Sequence, residues 1–334
     1  MKNRQNEILS ANDLSVGYRN GKRESVILSG LNLSLRQGEL VCLLGANGIG
    51  KSTLLRTLSG VQPPISGTIA IAGKEISNYT QQQLSKLISI VYTDRTLAGA
   101  LTVSELVSLG RHPYTGFFGR LGSEDKDMVA HAIETVGMSH KASSYVATLS
   151  DGERQKAMIA RALAQETPII ILDEPTAFLD VASRIETMNS LHRLASEEHK
   201  AILLSSHDIS QSLALAHRLW LLRNDRTMIE GQTESLVLSG ELHNLFANRQ
   251  VSFDPEIGDF IADRNFSRQV KLVCQNPLLR RWIINALKRN DIGLSDNSPD
   301  TITALSPTSI TFNRSQILSI EYLIDSILQQ RQPE

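Results

Sequence analysis

The chain has 334 residues, of which 41% are hydrophobic and 21% charged, a composition typical of a globular protein long enough for more than one core. Its formal net charge of −1 at pH 7 argues against a basic nucleic-acid-binding surface, so nucleic acid is not an expected partner. The sequence has two cysteines, no apolar N-terminal signal and no apolar run near the length of a bilayer span, so we expect a cytosolic protein that reaches a membrane only through another subunit.

Residues 7–44 alternate between apolar and polar side chains around turn signals, which predicts strands. The last of these strands, "GELVCLLG", is apolar without interruption and is therefore expected to be buried on both faces. Residues 51–60 have helical spacing and end at Gly60, a residue type that commonly follows a helix. A further strand is predicted at 66–73.

The middle of the chain, from about 84 to 148, is predicted to be a helical insertion, with amphipathic segments at 102–110 and 125–138. Short apolar strands follow it at 168–175, 200–208 and 217–225. They alternate with helical stretches such as 181–198, which indicates an α/β fold with a parallel sheet covered by helices on both faces.

The last ninety residues have a different pattern. A strand at 269–274 precedes a helix at 276–290 that begins with Asn276 as N-cap. We expect this helix to bury one apolar face, made of Leu278, Leu279, Trp282, Ile283, Ala286 and Leu287. A hairpin at 301–305 and 308–312 and a closing helix at 315–329 complete a predicted small α+β domain over 245–334.

A glycine-rich loop, "GANGIGKST" at 45–53, lies between a predicted buried strand and a helix and fits the pattern of a phosphate-binding loop. Glycines let the backbone N–H groups turn toward phosphate oxygens, and the helix N-terminus adds partial positive charge. Lys51 is expected to bridge the terminal phosphates, and the Ser52 hydroxyl to ligate Mg²⁺. The other expected nucleotide contacts in this loop are Gly45, Asn47, Gly48, Gly50 and Thr53.

The apolar strand in "IIILDEP" delivers Asp173 and Glu174 to its carboxyl end, the edge of such a sheet where ligands bind. A strand that ends in two acids is by itself usually a solvated strand end. Beside a phosphate loop, Asp173 is expected to hold Mg²⁺ and Glu174 to accept a proton from, or orient, the attacking water.

With "LSDGERQ" at 149–155, "TAFLD" at 176–180 and "SSHD" at 205–208, the chain resembles the ATP-binding subunits of ABC transporters over residues 8 to about 240. The resemblance implies a P-loop ABC ATPase core over 1–244 with an antiparallel β subdomain. It also implies ATP hydrolysis with Mg²⁺ by a head-to-tail homodimer, in which the signature of one subunit caps the nucleotide held by the other.

In that family, residues outside the phosphate loop also contact nucleotide. The resemblance implies that Ser150 and Gly152 bind the partner's nucleotide, that Asp180 is the D-loop aspartate and that His207 reaches the γ-phosphate. It also implies that Tyr18 stacks on adenine. The residue types alone leave plainer alternatives for two of them, since a histidine at a strand end is usually a polar cap and a strand tyrosine usually packs.

Two departures from the family pattern affect these expectations. Asp151 replaces the signature-motif glycine that precedes Gly152, and Glu153 stands where glutamine is usual. We expect the nucleotide sandwich to survive the extra carboxylate in a water-rich interface. Thr93 or Asp94 occupies the place of the glutamine that links the metal to the permease.

The segment at 108–127 resembles the insertion in ATPases of bacterial importers for iron-siderophore, haem and cobalamin. This resemblance implies a peripheral subunit on the cytoplasmic face of the inner membrane, under a polytopic permease that is served by a substrate-binding protein. Two alternatives are open, a soluble ABC ATPase with a non-transport client and the ATPase of another transporter class. For the C-terminal domain we hypothesise dimerisation or regulation.

Overall fold

The computed structural model describes residues 6–21, 23–92, 100–116, 119–246, 250–255 and 257–329. The strands are β1 Glu7–Asn20, β2 Arg23–Arg36, β3 Leu40–Gly45, β4 Ser66–Ile71, β5 Lys74–Glu75, β6 Ile88–Val91, β7 Ile169–Asp173, β8 Ala201–Ser205, β9 Arg218–Leu222, β10 Met228–Gln232, β11 Val251–Asp254, β12 Asp259–Ala262, β13 Arg268–Cys274, β14 Ile292–Leu294, β15 Thr301–Ser306, β16 Ser309–Phe312 and β17 Ser315–Ile317. The α-helices are α1 Lys51–Leu58, α2 Gln81–Leu84, α3 Val103–Ser108, α4 Ser123–Thr135, α5 Asp151–Ala164, α6 Val181–Glu198, α7 Ile209–Leu215, α8 Thr233–Leu238, α9 Pro277–Arg289 and α10 Ile320–Gln329.

The centre of the first part of the chain is a six-stranded sheet in the order β10-β9-β3-β8-β7-β6. Its strands are parallel except for β10, which runs antiparallel to β9 at one edge. Every residue of β3, β7 and β8 is buried, as expected for uninterrupted apolar strands covered on both faces. Parallel pairing brings the carboxyl ends of these three strands to one edge of the sheet, where the phosphate loop begins.

A second, antiparallel sheet in the order β2-β1-β4-β5 packs beside α1. Leu9, Leu14 and Val16 of β1 are fully buried and share a core with Val41 and Leu43 of β3. This sheet therefore supports one side of the phosphate loop and places Tyr18, near the end of β1, next to it.

The described residues between β6 and β7 are mainly helical, as the sequence predicts. Helices α3, α4 and α5 pack together through buried residues that include Val107 and Ile133. Thr102 and Glu105 form a capping box at the start of α3, which satisfies backbone N–H groups at the helix end. Within the described residues, no helix is long and apolar enough to cross a membrane.

Contacts divide the chain into two compact units, the first ending at Ile261 and the second beginning at Ala262. The second unit has a five-stranded sheet in the order β14-β13-β15-β16-β17, with β13 parallel to both of its neighbours. Alternate strand residues, among them Val270, Ile302 and Phe312, are buried against α9 and α10 in a core of their own. The hairpin predicted at 301–312 is confirmed as β15 and β16.

Two details predicted for this unit are wrong. The closing helix does not begin at 315, because residues 315–317 form β17 against β16 and the helix begins at Ile320. Leu278 and Trp282 of α9 are not in the core: they are 67% and 58% exposed, whereas Leu279, Ile283, Ala286 and Leu287 are buried. The apolar stripe predicted from spacing was wider than the face that packs on the sheet.

Candidate functional site

The phosphate loop connects β3 to α1 and depends on its glycines. Gly48 and Gly50 have φ angles of 75° and 119°, in the left-handed region that side-chain-bearing residues rarely adopt. A Cβ atom at Gly45 would lie 2.8 Å from the carbonyl oxygen of Leu222 on the neighbouring strand. The backbone thus turns sharply between a buried strand and the N-terminus of α1, which is the geometry that binds phosphate oxygens.

Lys51 opens α1 and is buried, with 5% of its surface exposed. Its Nζ donates hydrogen bonds to the carbonyl oxygens of Gly45, at 2.8 Å, and Ala46, at 3.2 Å. Burial lowers the pKa of the Lys51 ammonium, and the carboxylates of Glu174 and Asp173 act in the opposite direction. The loop therefore holds a desolvated ammonium group, which can pair with an anionic ligand, beside two carboxylates of the kind that hold a divalent cation.

Asp173 and Glu174 lie at the carboxyl end of β7, where the sequence places them. Asp173 is 5% exposed and accepts a 2.6 Å hydrogen bond from the Ser205 hydroxyl at the end of β8. The same hydroxyl accepts a hydrogen bond from the backbone N–H of Glu174 at 2.9 Å. Glu174 has a φ of 49°, so Ser205 holds both acids at a turn that is uncommon for a non-glycine residue.

His207 follows β8 and reaches the same place. Its Nε2 lies 2.6 Å from Glu174 Oε1 and 3.5 Å from Lys51 Nζ. Because a carboxylate oxygen only accepts hydrogen bonds, Nε2 carries the proton in its contact with Glu174. The three expected catalytic residues, from three separate elements, therefore meet at one end of the parallel sheet.

A cavity of about 430 Å³ lies over the phosphate loop. Its lining contains eight of the expected site residues and one more apolar side chain: Tyr18, Asn47, Gly48, Gly50, Lys51, Ser52, Thr53 and Glu174, with Ile27. The Tyr18 hydroxyl lies 3.1 Å from Thr53 Oγ1, and the residue is 48% exposed, so its ring is accessible to a planar ligand.

Ser150, Gly152 and Asp180 are not among the described residues that line this cavity. Ser150 is the N-cap of α5 and forms a capping box with Glu153. Asp180 is the N-cap of α6 and accepts hydrogen bonds from the backbone N–H and hydroxyl of Ser183 at 2.8 and 3.1 Å. These hydrogen bonds hold the pKa of the Asp180 carboxyl below its usual range. One copy of the chain therefore does not gather all of the predicted nucleotide contacts into one cavity.

The two residues that depart from the signature motif, Asp151 and Glu153, each lie next to a basic side chain. Asp151 Oδ1 accepts a hydrogen bond from Arg154 Nη1 at 3.1 Å, and Lys141 Nζ lies 3.3 Å from Glu153 Oε1. Each unusual carboxylate at this helix N-terminus thus has a neighbouring cation. Thr93 and Asp94 lie outside the described residues.

The described part of the segment at 108–127 is anchored through a buried arginine. Arg111 is 4% exposed and its guanidinium contacts Asp125 Oδ1 at 2.8 Å and Glu166 Oε2 at 2.6 Å. It also donates to the carbonyl oxygen of Ala164 at 2.9 Å, the last residue of α5. A charged network therefore connects this segment to the end of α5, the helix that begins within the signature motif and is called the signature helix below.

Ser205 and Arg154 are site residues that sequence reasoning did not single out. Both stand inside motifs that were recognised, Ser205 two residues before His207 and Arg154 three residues after Asp151. Only their positions within these motifs could have indicated a role in the site. A serine in a buried strand or an arginine in a first helical turn has many ordinary roles.

Residues 28–177 match the model of the family described as ABC transporter. An uncharacterized ABC transporter ATP-binding protein of Methanocaldococcus jannaschii is 37% identical over 265 residues, which are 79% of this chain and 90% of the relative. A probable siderophore transport system ATP-binding protein of Bacillus subtilis is 36% identical over 251 residues, 75% of this chain and 90% of the relative.

Solved structures agree in fold. One of a metal-chelate type ABC transporter in an inward-facing conformation is 30% identical with a TM-score of 0.62, and the match covers 77% of this chain and 96% of that chain. A dimeric ATP-binding cassette bound to ADP and phosphate is 26% identical with a TM-score of 0.61, covering 68% of this chain and 99% of that chain. The α/β class and the P-loop ABC ATPase core expected from the sequence are confirmed. The chain belongs to the ABC transporter family as an ATP-binding subunit, and it is an ATPase.

Proposed function

We propose that this ATPase powers import of an iron chelate (siderophore), haem or cobalamin through a partner permease. The observation that carries the proposal is the similarity to the Bacillus subtilis siderophore transport protein across 90% of that protein's length. The solved metal-chelate type transporter agrees with it. The chelate itself would bind to other subunits, since the cavity on this chain lies over the phosphate loop.

The loop and acid pair give each residue a role in hydrolysis. Backbone N–H groups of the loop and the Lys51 ammonium bind the phosphates. The Ser52 hydroxyl and the Asp173 carboxylate are oxygen donors of the kind Mg²⁺ prefers, so they would hold the ion that neutralises phosphate charge. Glu174 orients the attacking water or accepts its proton. His207, whose Nε2 is hydrogen-bonded to Glu174 Oε1 at 2.6 Å, positions that carboxylate.

The second set of contacts comes from another copy of the chain. Ser150 is the N-cap of α5 and Gly152 lies in its first turn, where the helix N–H groups favour an anion. In a head-to-tail homodimer they would cap the nucleotide held by the partner's phosphate loop, next to the D-loop residue Asp180. The dimeric cassette among the solved structures supports this arrangement.

The complete assembly would be a homodimer at the cytoplasmic face of the inner membrane, bound to a polytopic permease that receives cargo from a substrate-binding protein. Closure of the dimer on ATP would move the permease, and hydrolysis would reopen it, because the closed state binds nucleotide more tightly. We propose an ATPase domain over 1–244 and a C-terminal extension over 245–334. The second unit has a separate hydrophobic core, which supports such an extension.

Affinity purification of the tagged chain from gently solubilised membranes tests the transport proposal. We expect a polytopic membrane protein to copurify in a stoichiometric amount, and reconstitution with it should make ATP hydrolysis depend on a chelate-loaded binding protein. Copurification with ribosomes or DNA-repair subunits would contradict import and favour a soluble client. A permease active in export would assign the chain to another transporter class.

A further inference from the structure

Helix α9 carries an exposed basic and aromatic stripe. Leu278 and Trp282 are 67% and 58% exposed, and Arg281 and Arg289 are exposed on the same side, at the three- and four-residue spacing of one helix face. The helix contains four basic residues and no acidic one. A half-exposed tryptophan beside two exposed arginines is a composition enriched at protein interfaces.

Helix α10 has the opposite charge. Glu321 and Asp325 are exposed one helical turn apart, and Tyr322 between them is 58% exposed. The helix contains no basic residue among its described positions. Just before it, Leu318 is 72% exposed. Each of the two helices therefore presents an aromatic side chain with charges of one sign.

The two helices cover the same side of the sheet. Buried residues of both, including Ile283 and Ile327, join one core with the inward-facing strand residues. The helices also contact each other. A basic strip and an acidic strip thus run next to each other on the outer surface of this helical layer. Within the described part of this unit, Arg281, Arg289, Glu321 and Asp325 form no ion pair with one another.

We propose that this helical face binds the same face of a second copy of the chain, with α9 of one copy against α10 of the other. A two-fold interface is self-complementary, so a basic strip and an acidic strip on one surface match their counterparts when the copy is rotated. An anionic membrane would attract α9 but repel the adjacent α10, so the surface fits a second copy better. The contact would bury Trp282 and Tyr322 of both copies.

The inference deepens the proposed homodimer by adding a contact that needs no nucleotide. It assigns dimerisation to a surface remote in sequence from the phosphate loop and the signature helix. Its test therefore uses the full chain without ATP, while ATP hydrolysis of the same samples reports separately on the proposed catalytic function.

Two charge-reversed variants test the proposed pairing. One carries Arg281→Glu and Arg289→Glu, and the other carries Glu321→Lys and Asp325→Lys. Sedimentation velocity without nucleotide should show a wild-type dimer, and each variant alone should raise the dimer dissociation constant by about tenfold or more, because like charges then face each other. An equal mixture of the two variants should restore the dimer, since each strip regains an opposite partner.

Trp282 supplies a second measurement. Trp220, the other tryptophan, is fully buried, so a concentration-dependent shift of emission to shorter wavelength would report Trp282 entering the interface. Arg314→Glu, an exposed arginine in the turn after β16, is the matched control and should dimerise as the wild type does. Restoration in the mixture also excludes misfolding as the cause of dissociation.

Three results would overturn the proposal. One is a wild-type chain that stays monomeric without nucleotide at all concentrations tested. Another is a mixture no more dimeric than its separate components. The third is wild-type binding to phosphatidylglycerol vesicles that is lost in the α9 variant and does not return in the mixture, which would assign the surface to a membrane.

Discussion

His207 Nε2 lies 2.6 Å from Glu174 Oε1, a contact beside the phosphate loop that joins the second residue after β8 to the first residue after β7. The contact fixes the direction of the Glu174 carboxylate, and Lys51 Nζ, 3.5 Å from the same nitrogen, adds positive charge next to it. Residues from three elements thus form one unit, in which a change at His207 alters the placement of the expected base.

His207→Ala should lower the kcat for ATP hydrolysis by about 10²–10³-fold, the range for loss of one positioned donor in a catalytic site. Nucleotide affinity should change little, because His207 is not among the described residues that line the loop cavity. Steady-state ATPase assays and equilibrium nucleotide titration separate the two effects. A kcat within twofold of the wild type would show that the contact has no role in hydrolysis.

Ser205→Ala should reduce the free energy of unfolding by about 1–3 kcal/mol, because the buried Asp173 carboxylate loses the hydrogen bond from the Ser205 hydroxyl. It should also weaken Mg²⁺-dependent activity by releasing the Glu174 backbone N–H. Chemical denaturation gives the stability and a Mg²⁺ titration of ATPase activity gives the second effect. Ser235→Ala, at an exposed position on α8, is the control and should fall within about 0.5 kcal/mol of the wild type.

Arg111→Met should destabilise the first unit by about 3 kcal/mol, since it leaves Asp125 and Glu166 without their cation. The value lies at the lower end of the range for broken buried pairs because the two carboxylates keep 17% and 46% of their side-chain surface exposed. Arg193→Met breaks a solvent-exposed pair with Glu197 and should cost little. Equal losses for the two variants would contradict the anchoring role of Arg111.

Stability should fall in mildly acidic solution because of His217. Its Nδ1 accepts a hydrogen bond of 3.0 Å from the backbone N–H of Leu40 at the start of β3. Its ring stacks on the ring of His192, with 4.8 Å between the two ring centroids. Burial and the neighbouring His192 lower the pKa of His217 from 6.5. The unfolded chain therefore binds the proton first, so this contribution is complete above about pH 6.5 and decreases as the pH falls below it.

Denaturation curves between pH 8 and pH 5 measure this effect as the difference between the wild type and His217→Gln, whose amide oxygen can accept the same hydrogen bond. The wild type should lose more stability than the variant below pH 6.5. Parallel curves for the two proteins would show that His217 does not titrate in this way.

The sequence predicted the parts of the fold in which local and tertiary preferences agree. The helix expected at 181–198 is α6, with Asp180 as its N-cap, and the continuously apolar strands are the buried strands of the parallel sheet. The phosphate loop, the acid pair and His207 were predicted because each follows such a strand. The meeting of these residues depends on strand order, which the structure shows.

What the sequence did not predict depends on long-range packing. Ser205 matters because β8 lies beside β7, a pairing that no local pattern shows. The helix predicted from 315 gave way to β17 because residues 315–317 complete the sheet edge against β16. Spacing placed Trp282 on an apolar face, but the sheet covers only the Leu279 side of α9.

Asp151 should be tolerated in the nucleotide sandwich because Arg154 balances its charge. Arg154→Ala should therefore raise the ATP concentration that half-saturates dimer formation by about two- to fivefold, the effect of a partly exposed ion pair. Asp151→Gly in the same chain should restore the wild-type value. An Arg154→Ala defect that persists with Asp151→Gly would show that Arg154 acts in another way.

The most direct test of the account is ATP-driven dimerisation of a chain that cannot complete hydrolysis. Light scattering would be recorded on Glu174→Gln carrying Arg281→Glu and Arg289→Glu, so that the C-terminal helices do not hold the copies together. We predict a monomer without nucleotide and a dimer at saturating Mg-ATP, and a monomer in both conditions when Lys51→Ala is added. A Glu174→Gln chain that stays monomeric at saturating Mg-ATP would contradict the claim that the signature helix of one copy caps the nucleotide of the other.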